Sequence, residues 1–278
     1  SAYLAKQIVS KDRTPPKIIT TLHGTDITLV GADPSFRDIT IFSINESDGV
    51  TAVSNYLAEE TVREFGITKP IEVIHNFFDT QRFSPNRDVC LKSQFAKDGE
   101  FLLAHVSNFR PVKRIADVID IFEKVRREMP AKLLLVGEGP DTTLARRLVV
   151  RKNLDKDTIF LGNQISVETI LPCVDLFLLP SQEESFGLAA LEAMACGAPV
   201  IGSAGSGISE VVEDGVTGAL HTVGDTTSMA KSAIEILKNP AKLKKLSEDA
   251  RKSVESRFSD EKIVTQYEKY YERILEGE

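Results

Sequence analysis

Between Asp175 and Ser203 the chain reads DLFLLPSQEESFGLAALEAMACGAPVIGS, and this arrangement leaves few folds open. Leu176 to Leu179 is wholly apolar and is stopped by Pro180, which suits a strand buried on both faces. A polar loop follows, then an Ala- and Leu-rich helix that begins near Ser185 or Phe186 and ends at Gly197, with Pro199 just beyond to forbid continuation. Pro199 to Gly202 enters the next strand. A strand with two apolar faces needs helices on both sides, and strand–helix–strand is the unit of a parallel α/β sheet.

The same rhythm runs through the rest of the chain. KIITTLHG (17–24), GVTAVS (49–54) and IEVIHN (71–76) read as strands, separated by helices over 33–48 and 55–66. Polar residues over 79–99 break the alternation. It resumes with strands at FLLAHVS (101–107), AKLLLVGEG (131–139) and TIFLGN (158–163), with helices at about 113–128, 141–152 and 166–171. The C-terminal part is helical, and its last helix carries the apolar stripe Ile263, Tyr267, Tyr270, Tyr271 and Ile274. Two Rossmann-like α/β domains with parallel sheets are therefore expected, over residues 1–85 and 86–258, with a terminal helix at 259–278. Only three strands precede the polar stretch, and the chain opens in an amphipathic helix. The N-terminal domain is accordingly expected to be incomplete, by on the order of a hundred residues on the usual size of a domain.

The charges fall where this architecture binds ligands. Glu184 stands just before the helix start and Glu192 within it. A helix N-terminus at the carboxyl end of a parallel strand offers backbone N–H groups and a positive dipole end to an anion. Gly187 allows close approach of a ligand to the backbone, and the two glutamates can accept hydrogen bonds from neutral hydroxyls on either side of that anion. Exposed carboxylates are common, but Glu192 is set in the core-like run Leu-Glu-Ala-Met-Ala. SNFRPVKR (107–114) follows another strand end and brings Arg110, Lys113 and Arg114 together, a cluster suited to a diphosphate. VGEGP (136–140) is only part of a dinucleotide fingerprint. Asp155-Lys156-Asp157 has the form of a metal-binding D-x-D but lies in a polar helix-to-strand loop, so it reads as a solvated turn.

Composition excludes several classes. A net charge of −7 gives no broad basic surface for nucleic acid. No apolar run nears the ~18 residues of a membrane span, and no signal peptide opens the chain. Three widely spaced cysteines, Cys90, Cys173 and Cys196, read as buried free thiols in a reducing compartment, and no Cys/His cluster has metal-site spacing. A cytoplasmic, metal-free protein is expected.

ESFGLAALEAMACGAPVI resembles the E-x7-E region of the retaining, GT-B-fold, nucleotide-sugar glycosyltransferases of family 4. The resemblance implies two facing Rossmann-like domains, with a final helix that commonly crosses back to the first. The aromatic stripe of this chain suits that crossing or packing on its own domain. The family pattern has an arginine and, five residues later, a lysine on the phosphates; Lys113 matches the lysine, Asn108 holds the arginine position, and Arg110 follows it. Gly137 and Asn163 match strand ends beside the uracil, and Glu184, Phe186, Gly187, Leu188 and Glu192 the donor motif. Glu210 resembles a further family feature. His23, in HGTD after the first strand, is a candidate to contact donor sugar or phosphate and, with Lys113 and Glu184, completes the expected catalytic set. LHGTDITLVG, VTAVSNYL, VIHNF and SNFRPVKR are most similar to the branch that joins N-acetylglucosamine to L-malate at the start of bacillithiol synthesis in bacteria. That implies UDP-GlcNAc as donor substrate, no cofactor and no metal, and a small hydroxy-acid acceptor. A dicarboxylate would want a guanidinium fork and hydroxyl donors, for which Thr25, Arg37 and Asn76 are the candidates. Monomer and homo-oligomer both stay open.

Overall fold

The computed structural model describes residues 2–11, 14–24, 27, 33–85 and 92–277. Two compact units divide the chain: residues 1–77 with 260–278, and residues 78–259.

In the first unit, β1 (Ile19–Leu22), β2 (Gly49–Ala52) and β3 (Glu72–Val73) form a parallel sheet in that order. Helices α1 (Ala2–Val9), α2 (Pro34–Asn45) and α3 (Asn55–Phe65) accompany them. Local chemistry explains α3: the Ser54 side chain accepts from the Leu57 amide, and Gly66 closes the helix in the left-handed region. The terminal helix α11 (Asp260–Glu276) belongs to this unit. Its Ile263 and Tyr270 are buried with Ile74, and Tyr267 and Ile274 pack beside them. The Tyr270 hydroxyl donates to the Val50 carbonyl at 3.1 Å, while Tyr271 stays 42% exposed, so the stripe is one residue narrower than its sequence.

The second unit is built on a six-stranded parallel sheet in the order β6-β5-β4-β7-β8-β9: β4 (Phe101–Val106), β5 (Ala131–Val136), β6 (Thr158–Gly162), β7 (Leu176–Leu179), β8 (Val200–Ser203) and β9 (Gly218–His221). The chain winds outward from β4 to β6, returns to the middle at β7, and winds out the other way. On one face Leu103, Leu133, Leu135, Leu176, Leu178 and Ile201 pack against α5 (Ile115–Glu128), α6 (Thr142–Arg151) and α9 (Thr226–Leu237). Fully burying one such aliphatic or aromatic side chain contributes about 1.5–3 kcal/mol, so this layer fixes the sheet. The other four helices are α4 (Lys92–Phe95), α7 (Leu188–Ala195), α8 (Ile208–Val211) and α10 (Pro240–Phe258). Asp157 of the D-x-D is held by Lys132 and Arg126 at 2.7 and 2.8 Å, so it braces β5 to α5.

Three expectations are corrected. The central helix starts at Leu188, not near Phe186. The basic segment is a separate 3-10 turn, Pro111–Lys113, ahead of α5. Cys173 is disulfide-bonded rather than a free thiol. Cys196 is free and buried, and burial pushes its thiol up to about 12; Cys90 lies outside the described residues. Among those residues no helix is long and apolar enough to cross a membrane.

Candidate active site

In an open parallel sheet, ligands bind outside the carboxyl ends of the strands where the winding reverses. Here that point lies between β4 and β7, which are paired neighbours. The loops leaving these two strands are SNFRPVKR and SQEESFG, the two stretches richest in chemistry-bearing residues.

The loops are joined in two ways. The Gln182 N–H donates to the Val112 carbonyl at 2.8 Å. Beside it, the Lys113 ammonium donates to Glu184 Oε1 at 2.8 Å. The Ser181 hydroxyl donates to that same oxygen at 2.7 Å. Glu184 is only 8% exposed, and its backbone is fixed as well: its N–H reaches the Ser206 hydroxyl at 3.2 Å, and its carbonyl accepts from Gly207 at 2.9 Å. A buried carboxylate needs this saturation of partners, since burial of an unpaired charge is costly.

Gly187 caps α7 from the left-handed region, φ 96° and ψ 47°, with no side chain across the helix end. Only glycine takes that conformation without strain, and it begins α7 three residues after Glu184. Phe186, an expected donor contact, packs its ring inward: it is 1% exposed and meets Phe258 edge-on at 5.5 Å. Leu188 is 44% exposed at the helix start. Glu192 is half-buried on α7, and burial pushes its carboxyl up to about 7, with Arg82 acting against the shift and Glu168 adding to it. Arg82 binds Glu168 at 3.1 Å. Neither residue was singled out in the sequence: Arg82 sits in a polar stretch and Glu168 in a short helical segment, both without a motif.

On the β4 side, Asn108 and Arg110 are exposed and Lys113 is half-buried. Arg114, the third cation, is spent on Asp117 at 2.7 Å. Gly137 and Gly139 let the loop after β5 lie directly against this turn. A Cβ at Gly137 would fall 1.9 Å from the Ser107 carbonyl oxygen, and one at Gly139 would fall 1.8 Å from that of Asn108. Gly139→Ala is therefore expected to force the two loops apart, lowering stability by about 1–3 kcal/mol, the usual cost of overpacking. Urea unfolding checks this, and an unchanged midpoint would mean that the loops do not pack as described. Asn163 is exposed past the end of β6.

In the first unit, His23 is exposed immediately after β1, and Asn76 lies half-buried beyond β3. Arg37 does not join the strand ends. Its guanidinium donates to the Glu64 carbonyl and stacks over Phe65 at 5.2 Å, tying α2 to α3. Thr25 lies outside the described residues. Glu210 is half-buried on α8, and its carbonyl accepts from Arg257. Among the described residues, no group of three His, Cys, Asp or Glu has metal-holding geometry.

Residues 87–253 match the family described as glycosyl transferases group 1, and residues 1–82 match that described as glycosyltransferase family 4. The chain is 46% identical over 275 residues to the N-acetyl-alpha-D-glucosaminyl L-malate synthase of Bacillus anthracis, covering 99% of this chain and 71% of that protein. A glycogen synthase of Mycobacterium tuberculosis is 28% identical over 239 residues, 84% of this chain and 56% of its own. Among solved structures, HepE of Anabaena in complex with UDP and glucose shares the fold with a TM-score of 0.88 at 22% identity, over 97% of this chain and 74% of that one. Sucrose-phosphate synthase of Thermosynechococcus elongatus does so with a TM-score of 0.83 at 24% identity, over 100% and 72%. The first family matches more than half of this chain and the second matches the stretch ahead of it, so the chain belongs to the group 1 glycosyl transferases, with a glycosyltransferase family 4 segment before them, and has the GT-B fold.

Proposed function

We propose that the protein transfers N-acetylglucosamine from UDP-GlcNAc to a small hydroxy acid, L-malate, with retention of anomeric configuration and without a metal ion. The observation that carries this reading is the Lys113–Glu184 junction beside the start of α7, where no side chain caps the helix. It sets a cation, a helix dipole and a hydroxyl acceptor around one point at the switch of the sheet. The acceptor follows the 46% identical relative.

In this reading the diphosphate lies between Arg110, Lys113 and the first N–H groups of α7. As the bond from the anomeric carbon to the phosphate oxygen breaks, negative charge gathers on UDP. Lys113 and the helix start are already aimed at it, which is electrostatic stabilisation without reorganisation. Glu184 orders the sugar through its hydroxyls, Glu192 holds the ribose, and the strand ends at Gly137 and Asn163 flank the base. Arg37, occupied by Glu64 and Phe65, is left out of the acceptor set.

The test is a panel of hydroxy acids offered with UDP-GlcNAc in the presence of EDTA, with the product read by NMR. An α-linked GlcNAc–malate product is expected. UDP binding without transfer to any hydroxy acid would reduce the protein to a nucleotide-sugar binder, and loss of turnover in EDTA would overturn metal independence.

A further inference from the structure

The turn that carries Arg110 and Lys113 is strained. Phe109 has φ 39° and Arg114 φ 51°, left-handed values that cost a residue with a side chain roughly 1–2 kcal/mol each. Such a backbone persists only where its surroundings over-determine it. Arg114 answers with its bond to Asp117. What holds Phe109 lies below the turn.

His105, on β4, is fully buried. Its Nδ1 lies 2.8 Å from the Leu178 carbonyl oxygen on β7, and its Nε2 lies 2.8 Å from the Ser107 hydroxyl. A carbonyl oxygen only accepts, so Nδ1 carries the proton. The ring is neutral in this apolar setting: burial pushes the imidazole down to about 4, and the charge of Lys113 adds to the effect. Nε2 is then a lone pair and must accept from Ser107. With its proton so committed, Ser107 Oγ can only accept in turn, and the Phe109 N–H stands 3.2 Å from it. The direction of every bond in this chain is thereby fixed, from the Phe109 amide through Ser107 and His105 to the Leu178 carbonyl. The imidazole also stacks against the Phe109 ring, centroids 6.1 Å apart and planes at 23°.

We propose that His105 is a positioning residue for the donor diphosphate: through the Ser107 hydroxyl it holds the Phe109 peptide, and so the turn that presents Arg110 and Lys113. The inference rests on the reading of those two cations as diphosphate contacts. It ties that turn to β7, the strand whose loop bears Glu184, so both sides of the site are registered to one buried ring. A histidine that merely fills the core would need neither the Nδ1–H tautomer nor the serine two residues on.

Ser107→Ala removes both hydrogen bonds of the half-buried Ser107 hydroxyl, the one to His105 and the one from the Phe109 N–H, with almost no change of volume. It is expected to weaken UDP binding and raise the donor KM about 5- to 10-fold, the scale of such a bond, with the acceptor KM unchanged and a lowered kcat. Ser107→Thr keeps the hydroxyl and is expected to recover most of the loss. His105→Phe should give a similar defect, and the double variant no more than either alone, because both act on one path. Nitrogen-15 NMR of the histidine side chains should show His105 as the Nδ1–H tautomer. The proposal is overturned if Ser107→Ala lowers Tm but leaves UDP affinity and donor KM within about twofold of the parent. An equal rise in acceptor KM, or an Nε2–H tautomer, overturns it too. If the parent protein binds no UDP, the diphosphate reading falls and takes the inference with it; if the parent binds UDP and Ser107→Ala binds it equally well, only the role of His105 falls. Should His105→Phe fail to fold, the two Ser107 variants decide the matter.

Discussion

Lys113→Met is expected to lower kcat by about 10²–10³-fold, the range seen when one preorganised charge-stabilising donor is removed. The effect has two parts that can be separated. Lys113 faces the leaving diphosphate in the proposed reaction, and it also neutralises Glu184, whose carboxylate is buried and has Ser181 as its other side-chain partner here. Removing the lysine leaves a buried charge uncompensated, which costs about 3–5 kcal/mol of stability where relaxation is poor. Glu184→Gln keeps an oxygen for Ser181 and removes that charge. The double variant Lys113→Met/Glu184→Gln should therefore regain most of the stability lost in Lys113→Met, by thermal unfolding, and none of the turnover. Glu184→Gln alone should damage transfer far more than binding of UDP, since the glutamate is assigned to the sugar. A double variant that regained turnover would mean that the pair is purely structural.

The second large effect is a pH dependence seated at Glu192. Its carboxyl is pushed from 4.5 to about 7 in the folded protein, chiefly by burial. A group whose folded value lies above its unfolded one binds more protons in the native state between the two. The stability it contributes is therefore whole below about pH 4.5 and is lost as pH rises through 7. At about 1.4 kcal/mol per unit, the ligand-free protein loses at most about 3.5 kcal/mol on this account between those limits. In the proposed reading the donor UDP-GlcNAc, whose diphosphate does not titrate in this range, acts in the opposite sense: its ribose hydroxyls donate to the ionised carboxylate, so its affinity should rise from pH 5.5 to 8, and binding in this range should release a proton. Calorimetry in buffers of different ionisation enthalpy measures that proton. Both slopes should vanish in Glu192→Gln; a pH-independent affinity, or a slope that survives the substitution, would remove Glu192 from the site.

The parallel α/β architecture was legible because its signals are local: apolar four- to six-residue strands, capped helices and a glycine at each end of α7. The pairing order of the strands was not, because nothing in a strand names its neighbour. Yet that order, with β4 beside β7, is what brings Lys113 to Glu184 across the sheet. The start of α7 was misplaced since the Ala- and Leu-rich composition favours a helix back to Phe186. The ring of Phe186 is drawn into the core by Phe258, and Gly187 turns the chain left-handed before the helix can begin. Arg37 matched a plausible acceptor chemistry, but it is an amphipathic side chain and its long stem serves equally to tie two helices. His105 went unread inside FLLAHVS. A lone polar residue in an otherwise apolar strand, with a serine two positions on and a basic turn beyond, was the available signal.

The Lys113–Glu184 pair and the Gln182–Val112 bond have a consequence for how this unit folds. The two charged residues are 71 positions apart, and between them the chain completes β5, α6 and β6 before returning to the middle of the sheet. Contacts closed over such loops form after the local ones, because the entropy of closure is lost before the contact repays it. A chain that has assembled only β4, β5 and β6 therefore possesses the cations but neither the Leu178 carbonyl that anchors their turn nor the carboxylate and helix start to face them. Docking of β7 is what brings the two sides of the proposed donor site together.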